Sequence, residues 1–203
     1  LAESHHALGA SEPLLEPLSR PENAAALAPA RARELAMRAT VELMTRAVAE
    51  ARLDRLKALW DKLLPRYRSD VEPRATYVRG LARLNAHAEA LALIVATLDK
   101  TWDAGLAEVY GGLHAVDPLS QLATIEQWLG QYGEKPELLV AAGQACLRNK
   151  LWGKARSYLE AVIRVQPTPT AYLELAKLCE MTQNAAEAAK LHRQGLELAA
   201  QQH

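Results

Sequence analysis

The chain has 203 residues, half of them hydrophobic, and its 24 lysines and arginines are balanced by 24 aspartates and glutamates. This length is sufficient to bury a core, and the balanced charge gives no sequence-wide attraction to a phosphate backbone, so nucleic acid is not an expected partner. The chain lacks phenylalanine and is rich in Ala, Leu, Glu and Arg, which favour helices. We therefore predict an all-α protein.

The N-terminal segment, residues 1–28, contains Pro13, Pro17 and Pro21 among short apolar clusters. We interpret it as a partial repeat or a poorly ordered segment that precedes a repeat domain at 29–203. Because the first residue is Leu1 and no signal peptide follows it, we expect the chain to be a fragment of a longer protein.

Predicted helices follow one another in pairs along the rest of the chain. Apolar residues recur at helical spacing in 31–51 and 53–64, where Pro65 is the predicted end, and again in 75–84 and 88–98. This gives about four helix pairs. The most regular units are 103–135, 136–168 and 169–203.

Small residues recur at fixed places in these units. Gly143 and Ala155 are repeated as Ala176 and Ala188 after a shift of 33 residues. A period of about 33 to 34 residues is typical of tetratricopeptide repeats, in which two helices touch where their side chains are smallest. We predict a right-handed superhelix of antiparallel helix pairs. The predicted packing positions are Gly111, Ala123, Gly143, Ala155, Leu159, Ala176 and Ala188.

Cys146 and Cys179 occupy equivalent repeat positions, 33 residues apart. We interpret them as small apolar packing residues. A disulfide or a metal site is the alternative, but the chain has no Cys-x-x-Cys and no histidine at ligand spacing, so no metal site is predicted.

Repeats of this class bind other proteins along a concave face that the first helix of each pair lines. The predicted groove mixes apolar side chains, which could receive a partner's side chains, with polar ones that could hold its backbone or carboxylate groups. A merely solvated face is the alternative. The groove residues are Glu137, Val140, Gln144, Leu147, Arg148, Leu173, Lys177, Glu180 and Met181.

Catalytic patterns are not found in the sequence. No serine lies in a Gly-x-Ser-x-Gly setting, and the carboxylates, including Glu126, Glu174 and Glu187, are read as a solvated helix face. No haem-attachment motif occurs, and no cofactor is predicted; if haem binds, Tyr110 and His114 are the first candidates.

Several segments go beyond the generic repeat. They are Leu59–Pro65, Tyr77–Leu81, Trp102–Leu106, Tyr110–Leu113, Glu126–Leu129, Leu138–Gly143 and Leu151–Leu159. Together they resemble the C-terminal region of the HemY family over about residues 30 to 200. The chain has no Gly-x-Gly-x-x-Gly after a strand, and thus lacks the dinucleotide site of the unrelated flavin-dependent oxidase that shares the family's name.

The resemblance implies a function and a location. Members of the family are inner-membrane proteins of proteobacteria, associated with late haem synthesis, whose N-terminal membrane helices would precede this region and leave it on the cytoplasmic side. We expect a non-enzymatic scaffold for other proteins, among them haem-biosynthesis enzymes. The alternative is a haem or porphyrin carrier.

Overall fold

A computed structural model describes residues 29–63, 65–115 and 117–201, and these ranges contain helices and turns but no strand. The all-α prediction is therefore confirmed for this part of the chain, while the prediction for residues 1–28 lies outside it. No helix within these ranges is long and apolar enough to cross a membrane. The chain divides into two compact units, one up to Ala90 and one from Leu91 onward, which are described separately.

The first unit is built on a long helix, α1, which packs against α2 and α4. Its core comes from apolar residues at helical spacing, such as Leu35, Leu43 and Met44 of α1, all almost fully buried. Gly80 of α4 faces Leu56, and a Cβ there would come within 2.8 Å of that side chain. The helices are α1 Pro29–Ala49, α2 Leu53–Lys62, α3 Pro65–Arg68 and α4 Val71–Arg83, followed by α5 His87–Leu98, in which the boundary between the units falls.

The prediction that Pro65 ends the helix at 53–64 is wrong. Pro65 begins the short helix α3, whereas α2 already ends at Lys62. Proline fits the first turn of a helix because its missing N–H has no helical partner there.

The second unit is centred on α8, which packs against α6, α7, α9 and α10. All of α8 from Leu138 to Leu147 is buried except Gln144, which is half-buried. α10 in turn packs against α8, α9 and α11. The helices are α6 Ala104–Gly112, α7 Pro118–Tyr132, α8 Pro136–Arg148, α9 Trp152–Val165, α10 Pro169–Met181 and α11 Ala185–Gln201.

Four of the turns between helices share one geometry. In each, a non-glycine residue takes a positive φ of 54° to 62°, and the next residue's N–H bonds back to a carbonyl five residues earlier, as in Leu151 to Cys146. This is the Schellman arrangement, which satisfies the last carbonyls of a helix. The four positive-φ residues are Ala51, Asn85, Lys150 and Gln183.

Helix starts in the second unit follow the proline positions. Pro118, Pro136 and Pro169 each stand in a first turn, and the Thr168 side chain accepts a hydrogen bond from Ala171 N–H as an N-cap. The turns and these starts together fix α8–α9 and α10–α11 as two helical hairpins.

The cysteines have the environment expected of packing residues. Cys146 and Cys179 are both free thiols and fully buried, on α8 and α10. The prediction that they pack in the interior is confirmed.

Candidate functional site

A polar network runs through the otherwise apolar contact between α7, α8 and α10. Gln121 and Glu174 are buried polar side chains, with exposed fractions of 2% and 7%. Buried polar groups are costly unless hydrogen-bonded, so their partners define what this region can do.

Gln121 joins the end of α6 to α8. Its amide N–H groups donate to the backbone carbonyls of Tyr110 and Leu113, at 2.8 and 3.1 Å. These carbonyls lie at the end of α6, where the Tyr110 oxygen also accepts a hydrogen bond from Leu113 N–H at 3.2 Å. The remaining Gln121 oxygen accepts a hydrogen bond from Arg148 Nη2 at 3.1 Å.

Glu174 joins α10 to α8. Its Oε1 accepts from Gln144 Nε2 at 3.1 Å and from Lys177 Nζ at 2.9 Å. The carboxylate is thus held by one neutral amide and one half-exposed ammonium.

Two atoms of this network are buried without a hydrogen-bond partner among the described residues, Gln144 Oε1 and Arg148 Nε. They lie one helical turn apart on α8. The Gln144 oxygen rests against Gly111, where a Cβ would come within 2.6 Å of it. An unpaired buried donor or acceptor costs about 1 to 3 kcal/mol, so a polar group that reached either atom would be stabilised there.

Arg148 is a charged residue of this network, and the hydrogen bond that it donates goes to the neutral amide of Gln121 and not to a carboxylate. Burial lowers its pKa, and the nearby Glu174 carboxylate opposes that shift. A guanidinium remains charged in proteins regardless. The side chain is only half-buried, so part of it stays within reach of an external acceptor.

The predicted groove is only partly open. Val140 and Leu147 are buried, at 8% and 6% exposed, so the prediction that they receive a partner's side chains is wrong. The reason is that α6 and α10 both pack against α8 and cover this face. Of the other groove residues on α8, Glu137 is half-buried, and Gln144 and Arg148 belong to the network. On α10, Leu173, Glu180 and Met181 are exposed.

Several of the predicted packing positions do lie at buried contacts between helices. Gly143 lies against Leu159, whose Cγ would be 2.6 Å from an added Cβ, and Ala155 is fully buried. Ala176 and Ala188 are buried too.

Gly111 and Ala123 do not repeat the Gly143–Ala155 arrangement. Gly111 faces α8, where its Cβ would meet the Ala141 backbone at 2.7 Å, and Ala123 is exposed. That prediction is wrong, because α6 makes its close approach to the following helix pair.

Tyr110 and His114 have different surroundings. Tyr110 is 3% exposed and packs edge-on against Trp128, with ring centroids 4.8 Å apart. Burial raises the pKa of its hydroxyl. His114 is exposed after the end of α6. Because Tyr110 is buried, a haem that bound at the surface would not reach its side chain.

Gln121 and Glu174 were missed as functional residues, although each stands on an apolar stripe. Gln121 precedes Ile125 and Trp128 at helical spacing, and Glu174 lies between buried Ala171 and Leu178 at the same spacing. A polar residue on such a stripe was the available signal for a buried network.

A shallow depression of about 300 Å³ lies elsewhere on the second unit. It brings together no ion pair or cluster of basic side chains. It is lined by Pro167, Tyr172, Gln194, Glu197, Leu198 and Gln201.

Comparison with known proteins gives one relationship. The chain is similar to the protein HemY. It is 24% identical to HemY of Escherichia coli K12 over 167 residues, which cover 82% of this chain and 42% of the relative. HemY of Escherichia coli O157:H7 and of Shigella flexneri match to the same extent. The chain thus spans less than half the length of the curated relatives it matches, and no protein-family profile matches it.

Proposed function

We propose that this chain is a protein-binding scaffold of the tetratricopeptide type, a right-handed superhelix of helix pairs that performs no covalent chemistry itself. The repeated Schellman turns and the 33-residue correspondence of α8–α9 with α10–α11 support this architecture. The similarity to HemY supports a role beside late haem-biosynthesis enzymes at the bacterial inner membrane, on its cytoplasmic side, with the anchor outside this chain.

The observation that carries the binding function is the state of Arg148. A half-buried guanidinium whose Nη2 bonds to a neutral amide, and whose Nε has no hydrogen-bond partner among the described residues, is prepared for an anionic group. Arginine–carboxylate hydrogen bonds are charge-assisted and stronger than neutral ones. We propose that the partner presents an acidic side chain or a C-terminal carboxylate to Arg148, while its apolar side chains contact Leu173 and Met181 on α10.

Cross-linking in the membrane-anchored protein tests this proposal. A photoreactive residue in place of Leu173, followed by mass spectrometry, should identify a defined partner segment that carries an acidic group. Arg148→Ala should abolish the cross-link.

Arg164→Ala is the matched control, since Arg164 is an exposed arginine on α9 away from the network. Cross-links that persist in Arg148→Ala, or that disappear equally in both variants, would contradict the assignment of Arg148.

The haem-carrier alternative is tested by titrating haem into the chain. A shifted Soret band that is lost in His114→Ala or Tyr110→Phe would favour the carrier over the scaffold.

A further inference from the structure

The α10–α11 hairpin leaves three large apolar side chains in water, and two of them, Leu173 and Leu196, stand at positions whose equivalents are packed in the α8–α9 hairpin. Leu173, Met181 and Leu196 are exposed by 42%, 58% and 72%. Isolated exposed apolar residues are ordinary, but a set that shares one repeat register indicates an interaction surface.

The register follows from the 33-residue shift. Leu173 corresponds to Val140, and Leu196 corresponds to Ile163. Val140 belongs to a buried cluster that includes Ala171 of α10, and Ile163 packs against the same cluster. In the α8–α9 hairpin Val140 is therefore covered by the first helix of the next pair, and Ile163 packs beside it.

The same shift identifies the polar partner of this face. Lys177 corresponds to Gln144, and Gln144 donates a hydrogen bond to Glu174 of the covering helix. A helix that lies on α10–α11 as α10 lies on α8–α9 would bring its own carboxylate to Lys177. Lys177 bonds to Glu174 of its own helix at 2.9 Å but is 44% exposed, so its ammonium can donate to a second carboxylate as well. The face thus combines apolar side chains with a cation that can hold an external acid.

We infer that Leu173, Lys177, Met181 and Leu196, here called the open face, bind an amphipathic helix of a partner protein. That helix carries a small residue followed three positions later by an acid, as α10 carries Ala171 and Glu174. A folded second copy of this chain does not offer that pattern, because its own Ala171 and Glu174 are 0% and 7% exposed within the unit. This inference goes beyond the proposed function: the open face shares Leu173 and Met181 with the contact proposed there, but it does not include Arg148.

A synthetic peptide with the sequence of residues 168–182, capped at both ends and labelled with a fluorophore, is the probe. We expect saturable binding to the intact chain in a fluorescence anisotropy titration. Burial of a leucine contributes about 1.5 to 3 kcal/mol, so Leu173→Asp and Leu196→Asp should each weaken binding about tenfold or more.

Leu119→Asp is the matched control, because Leu119 is 60% exposed on α7 and lies outside the open face. It should bind the peptide as the wild type does. A peptide carrying Glu174→Lys should bind poorly to the wild-type chain and regain affinity for the Lys177→Glu chain, since the pair of charges is then restored in reverse.

Absent binding, or binding that Leu173→Asp and Leu196→Asp leave unchanged, overturns the inference. A wild-type dimer in sedimentation velocity that Leu196→Asp dissociates would also overturn it, because a second copy would then occupy the face. In either case an Arg148-dependent cross-link would leave the proposed function standing.

Discussion

The hairpins α8–α9 and α10–α11 are built on one pattern but differ in what covers them. Both turn through a non-glycine residue with positive φ, Lys150 and Gln183, and both bury a cysteine at the same position. α8 has helices on both sides, whereas α10 contacts α8, α9 and α11 and leaves Leu173 exposed. The burial of a side chain in these two hairpins therefore depends on which helix packs on it as much as on its own sequence.

The largest effect is expected when equivalent residues of α9 and α11, the second helices of the two hairpins, are replaced. Leu159 is fully buried, and Leu159→Ala should lower the free energy of unfolding by about 2 to 5 kcal/mol. Its equivalent, His192, is half-buried and contacts the exposed Glu180 at 2.9 Å. His192→Ala should therefore cost less than about 1 kcal/mol. Urea denaturation measures both, and equal losses would show that the two crossings are packed alike.

A second test enlarges the glycine at the α8–α9 crossing. Gly143→Leu should cost about 1 to 3 kcal/mol or more, because even a Cβ would come within 2.6 Å of Leu159. The control is Gly130→Ala in α7, where an added Cβ meets nothing within 4 Å. That substitution should raise stability by about 0.5 to 1 kcal/mol. A Gly143→Leu chain with an unchanged melting temperature would contradict the close approach.

A third test concerns the turns, where the two hairpins should behave alike. Lys150→Gly and Gln183→Gly should each raise stability by about 0.5 to 1 kcal/mol, because glycine adopts positive φ without a Cβ clash. Thermal melts of both variants provide the measurement. A gain at only one position would show that the shared backbone geometry is not equally strained.

The smallest expected effect is the pH dependence of the ion pair between the hairpins. Arg156 of α9 contacts Glu187 of α11 at 3.1 Å, and this hydrogen bond lowers the pKa of the Glu187 carboxyl. The resulting stability is present above the ordinary value of 4.5 and is lost as pH falls through the lower folded pKa. Melting temperatures of the wild type and Glu187→Gln should differ at pH 7 and converge in acid. A constant difference would show that this pair does not contribute.

Much of the fold could be predicted because it depends on local patterns. Helical spacing of apolar residues, together with prolines such as Pro136 and Pro169 in first turns, indicated both regular hairpins. The four turns were harder, since glycine is the usual marker and Ala51 or Lys150 stands in its place.

The candidate site depends on contacts between helices, which local patterns do not report. Val140 looked available for binding by its repeat position, yet it is buried because α10 lies on it. Glu174 looked like a solvated carboxylate, yet it is 7% exposed and bonds to Gln144. Gly111 was assigned to its own helix pair but meets Ala141 of the next.

Each of the two hairpins contains one buried cysteine, so the alkylation rate of that thiol can report the opening of its own hairpin. Burial raises the pKa of the Cys146 thiol to about 11 and also raises the pKa of Cys179, so both remain protonated and slow to react at neutral pH. Alkylation then requires local opening, and its rate reports how often each hairpin opens. Because α10 leaves Leu173 and Met181 exposed whereas α6, α7, α9 and α10 pack on α8, Cys179 should be modified before Cys146. Mass spectrometry of tryptic peptides over time would record the order.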